Sequence, residues 1–153
     1  MVDYGKKYEK IVEQLVGRSF PELEIDGVKV FEFRKGSLDV LFLPLRKREV
    51  NFSCRDFLDS KLRGILAHEL CHVEIFRGYG IFRIWFLYLS YWIFPKARIK
   101  EEEKADFLAI ERGYARELAL VSKRLERAGP KSKNKTYLSE KRIKMYSKEI
   151  GKC

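Results

Sequence analysis

Both histidines of the 153-residue chain fall in one five-residue unit, His68-Glu69-Leu70-Cys71-His72, preceded by Gly64-Ile65-Leu66-Ala67 and followed by Val73. The apolar surroundings predict a helix, and residues four apart on a helix share a face. Two imidazoles placed in this way can take neighbouring corners of a zinc tetrahedron, with Glu69 beside them as a base and not a ligand. A hydrolytic zinc site also needs a third protein donor and an open position for water. Because no histidine is left, that donor must be a carboxylate or a cysteine. The plain alternative is a structural helix whose histidines pair with nearby acids.

Candidates for the third donor lie downstream in Glu101-Glu102-Glu103-Lys104-Ala105-Asp106. Glu102 and Asp106 are four apart on one helical face. One of them can bind a metal while the other accepts the spare ring N–H of a ligating histidine and fixes its tautomer. Glu101 and Glu103 read instead as acids of a first helical turn, complementing the macrodipole. Cys71 points away from the histidine pair at helical spacing and reads as a small core residue. Mixed imidazole and carboxylate donors with an open position favour Zn2+, one ion per chain.

HExxH followed by ExxAD, over about Ile65 to Ala109, resembles the gluzincin zinc peptidases, and the small size most resembles the minigluzincins, compact archaeal members of that clan. The resemblance implies zinc ligation by His68, His72 and Glu102, Glu69 as general base, and Asp106 supporting a ligand histidine, His68. The activity it implies is that of a zinc-dependent endopeptidase acting on peptide or protein substrates, latent through its carboxyl-terminal tail or that of a partner chain in a homodimer. Cys153 is one candidate for the blocking group. An antiparallel edge strand that pairs with extended peptide is also implied, a role Glu49 to Ser53 can fill. Tyr79, Tyr114 or a residue of the tail are the candidates for an oxyanion donor. The same motif pair resembles the ImmA/IrrE regulators, which act on DNA-bound repressors. A non-enzymatic module for a membrane surface or nucleic acid, using Trp85, Trp92 and the tail lysines, is the remaining reading.

The elements that must position these residues follow from periodicity. Tyr8, Ile11, Val12 and Leu15 predict a helix over about Tyr4 to Val16, ended by Gly17. Gly27 to Phe33, Asp39 to Leu45 and Glu49 to Ser53 have strand character, with a hairpin turn at Arg34 to Ser37. The histidine helix should run from about Ser53 or Asp56 to Arg77, with Leu62, Leu66, Leu70 and Val73 facing the core. The aromatic run Ile84 to Phe94 is too short to span a bilayer. It reads first as buried core and second as a segment for peripheral membrane contact through residues 81–94. Pro95 breaks it, and one long helix should follow from about Ile99 to Ala128. The expected class is α+β: a zincin-like domain over residues 1–128, with a short antiparallel or mixed sheet packed on the active-site helix and a second ligand-bearing helix, then a basic tail over residues 129–153.

Composition bounds these readings. A chain of this length with 46% hydrophobic and 35% charged residues can fold as a single domain without disulfides. Three scattered cysteines and an amino terminus without an apolar stretch predict the reducing cytoplasm. The net charge of +10 is concentrated at the end, where eight basic residues stand against two acidic ones from Lys131 onward. A solvated tail is the simpler meaning of that charge, and nucleic acid is the less favoured partner.

Overall fold

The computed structural model describes residues 4–23, 28–32, 48–52, 59–127 and 137–152. They belong to two compact units, Met1–Leu58 and Asp59–Cys153.

In the first unit, α1 (Tyr4–Ser19) buries Ile11, Val12, Leu15 and Val16, a stripe at the spacing of three and four that defines one helical face. The helix runs through Gly17, and its last turn is extended by the Phe20 N–H donating to the Val16 carbonyl at 3.2 Å. Phe20 and Leu23 are buried directly after it. Strands β1 (Val28–Glu32) and β2 (Arg48–Phe52) pair with each other in parallel, Val28 opposite Arg48 and Glu32 opposite Phe52. Parallel neighbours need a crossover and cannot be joined by a tight hairpin alone. The expected strand at Asp39 to Leu45 and the turn at Arg34 to Ser37 lie outside the described residues.

The second unit is built from α2 (Asp59–Arg77), α3 (Ile81–Ile93), α4 (Pro95–Glu111), α5 (Ala115–Arg127) and α6 (Glu140–Glu149). Helix α2 packs on α4 and α5, and α6 closes over α5 and α4. The expected α+β class is therefore overturned. The described residues are predominantly helical, and the unit carrying the histidines holds helices alone among its described residues. The physical reason is that α2 finds its apolar cover in other helices. Leu62, Leu66, Leu70 and Val73 are buried together with Leu118 and Val121 of α5 and with Ala105, Ala109 and Ile110 of α4. Gly64 lets two of these helices approach closely, since a Cβ there would lie 2.7 Å from the backbone carbon of Glu117.

Three further expectations are corrected. The helix foreseen over Ile99 to Ala128 is two helices, because Gly113 takes a left-handed φ of +94°. Its N–H donates to the Ile110 carbonyl at 2.9 Å and the Tyr114 N–H donates to Ala109 at 3.0 Å, which closes α4 with a Schellman cap. Helix α4 also begins earlier than expected, at Pro95, which suits a first helical position and holds Phe94 before it in extended backbone. Glu101 and Glu103 consequently sit in the second and third turns, where they pair with Lys104 and Arg142 instead of complementing the helix end. Finally, the large apolar side chains described in and just before the aromatic run are mostly outside the core. Phe82, Trp85, Phe86, Leu89, Ile93 and Phe94 are all exposed. Among the described residues no helix is long and apolar enough to cross a membrane.

Part of the basic tail is ordered against the body of this unit. Ser139 caps α6 by accepting from the Arg142 N–H at 3.3 Å. Leu138 before the cap and Ile143 after it are both buried, the arrangement of a hydrophobic staple.

Candidate metal centre

Helix α2 delivers His68 and His72 one turn apart, and α4 delivers Glu102 and Asp106 one turn apart, so each pair shares a face turned toward the other helix. The donor atoms of His68, His72 and Glu102 lie within 4.8 Å of one another. His68 Nε2 is 3.1 Å from His72 Nε2 and 3.2 Å from Glu102 Oε2, and the third edge, His72 Nε2 to Glu102 Oε2, is 3.5 Å. Donors about 2.0–2.1 Å from a tetrahedral zinc ion stand about 3.3–3.4 Å apart. The triangle therefore has the size such an ion requires.

The surroundings favour a cation over a neutral cluster. His68 Nδ1 donates to Asp106 Oδ1 at 2.7 Å, which leaves the Nε2 lone pair of the neutral ring aimed at the other two donors. Burial alone favours an uncharged His68. The charge and hydrogen bond of Asp106 outweigh it, with help from Glu102 and Glu69, and hold the imidazole well above the usual histidine range. Burial also works against the Glu102 carboxylate, but the bonds and charge of His68 and His72 keep it far below the ordinary carboxylate range. The same acidic field that holds a proton there would favour a metal cation in its place, and the three residues could hold one.

Two polar atoms in the cluster are buried and lack a hydrogen-bond partner among the described residues, Glu69 Oε2 and His72 Nδ1. Buried acceptors are ordinarily satisfied, and the exceptions concentrate where a ligand or a reaction supplies the partner. Burial raises the proton affinity of Glu69, although His68 and His72 oppose the shift. Glu69 lies on α2 between the two histidines in sequence, and it is not among the three converging donors. Cys71 is fully buried and its thiol is pushed far up by that burial, so it is an inert packing residue.

Sequence reasoning missed the part played by residues 137 and 138. The Leu138 N–H donates to Asp106 Oδ2 at 2.8 Å, so Asp106 accepts from His68 with one oxygen and from the tail backbone with the other. The Leu138 carbonyl accepts in turn from Ser122 Oγ at 2.8 Å, tying the strap to α5. The Tyr137 ring lies 5.1 Å from the His68 ring. Burial, then the charges of Glu69, Glu102 and Asp106, raise its phenol well above the usual range and keep it protonated. The available signal was the pair Tyr137-Leu138, apolar residues at the edge of a lysine-rich linker and directly before the cap Ser139. On the far side, His72 stacks on Phe76 with centroids 5.7 Å apart, and Phe76 packs edge-on against Tyr79. Tyr114 lies in the turn between α4 and α5, and Cys153 lies outside the described residues. Comparison of the chain with protein-family models, curated proteins and solved structures finds no match.

Proposed function

We propose that the chain is a zinc-dependent peptide hydrolase of gluzincin type. The observation that supports it most is the donor triangle of His68, His72 and Glu102, of zinc dimensions, with the partnerless carboxylate oxygen of Glu69 on the same helix as both imidazoles. In this reading His68, His72 and Glu102 hold the ion. Zinc bound by two neutral imidazoles and one carboxylate supplies an acidified water at neutral pH and polarises a neighbouring carbonyl. Glu69 Oε2 accepts the proton of the attacking water and returns it to the leaving amine, and its burial suits it to holding that proton between the two transfers. Asp106 fixes the tautomer of His68, so that Nε2 and not Nδ1 faces the ion. The strap at Leu138 fixes Asp106 in turn. The neutral phenol of Tyr137 stands beside these groups as the tail residue available to donate toward the substrate.

The test is metal analysis of the purified chain beside His72→Ala and Glu69→Gln, with hydrolysis of an unstructured protein such as casein followed in parallel. The wild type should carry one zinc per chain and His72→Ala should lose it. Glu69→Gln should keep the metal while losing hydrolysis by about 10²–10⁴-fold, the usual share of a general base. Metal content indifferent to His72, or hydrolysis surviving in Glu69→Gln, would sink the proposal.

A further inference from the structure

Helix α3 presents Phe82, Trp85, Phe86, Leu89 and Ile93 at the spacing of three and four that gathers them on one arc of about 100°. Their exposure runs from 56% to 87%. A patch of this kind on a folded chain marks a contact surface. The sequence around it has a second peculiarity. The chain holds 22 acidic residues, yet none falls between positions 75 and 100, where Arg77, Arg83, Lys96, Arg98 and Lys100 are all found.

Lys96, Arg98 and Lys100 stand in the first turns of α4, whose first turn carries no acidic residue. Cations at a helix amino terminus oppose the macrodipole and cost stability. Lys96 and Lys100 are exposed and make no ion pair among the described residues, so nothing there offsets the cost of Lys96 in the first turn. Their placement is favourable once an anionic surface lies against this end of α3.

We propose that the outer face of α3 docks the chain on an anionic lipid bilayer, lying in the interface with its aromatic arc among the acyl chains and the lysines of α4 at the headgroups. Thirteen residues make a helix of about 20 Å, too short for the roughly 30 Å hydrocarbon core, so the segment lies in the surface and does not cross it. An amphipathic helix with Trp, Phe and Leu on one face and cations at its margin is the arrangement that binds such interfaces. The five arc positions carry one polar atom among them, the Trp85 indole N–H, whereas a protein-docking face needs polar groups to match those of its partner. A second copy is disfavoured by charge, since it would bring the same cations together on a chain of net charge +10. The inference stands apart from the metal centre and from the proposed hydrolysis.

Flotation of the full chain with vesicles tests it. Vesicles of phosphatidylcholine mixed with phosphatidylglycerol should carry the chain upward in a density gradient, phosphatidylcholine alone should not, and added salt should weaken the binding. The double variant Lys96→Glu with Lys100→Glu should weaken it about 30-fold or more, at roughly fivefold per cation. Phe82→Ser with Phe86→Ser should weaken it about a hundredfold. Circular dichroism of both variants should match the wild type, because all four side chains are exposed. Absence of flotation, equal flotation with both vesicle types, or flotation unaffected by the two double variants would overturn the proposal. A dimer in sedimentation that Phe82→Ser with Phe86→Ser turns into monomer, without vesicle binding, would overturn it and assign the face to a second copy.

Discussion

Helices α2 and α3 are neighbours in the chain, separated by a short turn at Gly78 to Gly80, and they use their side chains in opposite ways. Helix α2 hides polar groups: His68, Glu69 and His72 are buried beside the fully buried Leu66 and Leu70. Helix α3 does the reverse and leaves aromatic and aliphatic side chains in the open. Buried imidazoles and carboxylates are costly unless each meets a partner, and for His68 of α2 the partners are Asp106 and Glu102 of α4, with Asp106 held in turn by the strap at Leu138. Exposed aromatic rings cost nothing comparable to folding, so α3 is free to serve an external surface. The contrast separates what holds the domain together from what it can offer outward.

This contrast can be broken by substitution. The largest effect belongs to the core side of α2. Leu66→Ala should lower the unfolding free energy by about 2–5 kcal/mol in chemical denaturation, because a fully buried leucine leaves a cavity between packed helices. Gly64→Ala should cost about 1–3 kcal/mol, as its Cβ meets the Glu117 backbone and forces α2 and α5 apart. Asp106→Asn should weaken metal binding about 10–100-fold in a chelator competition while leaving the three donors in place. Ser122→Ala removes one buried hydrogen bond to the Leu138 carbonyl and should cost about 1 kcal/mol. Smallest of all, Phe86→Ala should change stability by no more than about 0.5 kcal/mol, since its ring leaves no cavity. A cost of several kcal/mol there would erase the distinction between the two helices and place α3 in the core.

The chemistry-bearing residues were legible because helical spacing alone sets which of them share a face. His68 with His72, and Glu102 with Asp106, needed only the rule of four, and the one thing left to tertiary structure was that α2 and α4 meet. The fold class was not legible in the same way. Val28 to Glu32 and Arg48 to Phe52 do form strands, but strand character says nothing about what a strand will cover. The histidine helix is covered by helices, and that choice rests on long-range packing such as the approach at Gly64. Ile84 to Phe94 departs from expectation because apolar character alone does not dictate burial: folded surfaces keep much apolar area. Gly113 is a ready helix stop, but a lone glycine inside a helical stretch is often tolerated and Gly129-Pro130 is the stronger stop signal downstream.

The brace on Asp106 also sets an order of events during synthesis. Polypeptide leaves the ribosome amino end first, so both imidazoles and the two acids of α4 emerge while residue 138 is still to come. Until that amide arrives, the aspartate has lost half its grip, and a nascent chain carries the donors without the brace that finishes the centre.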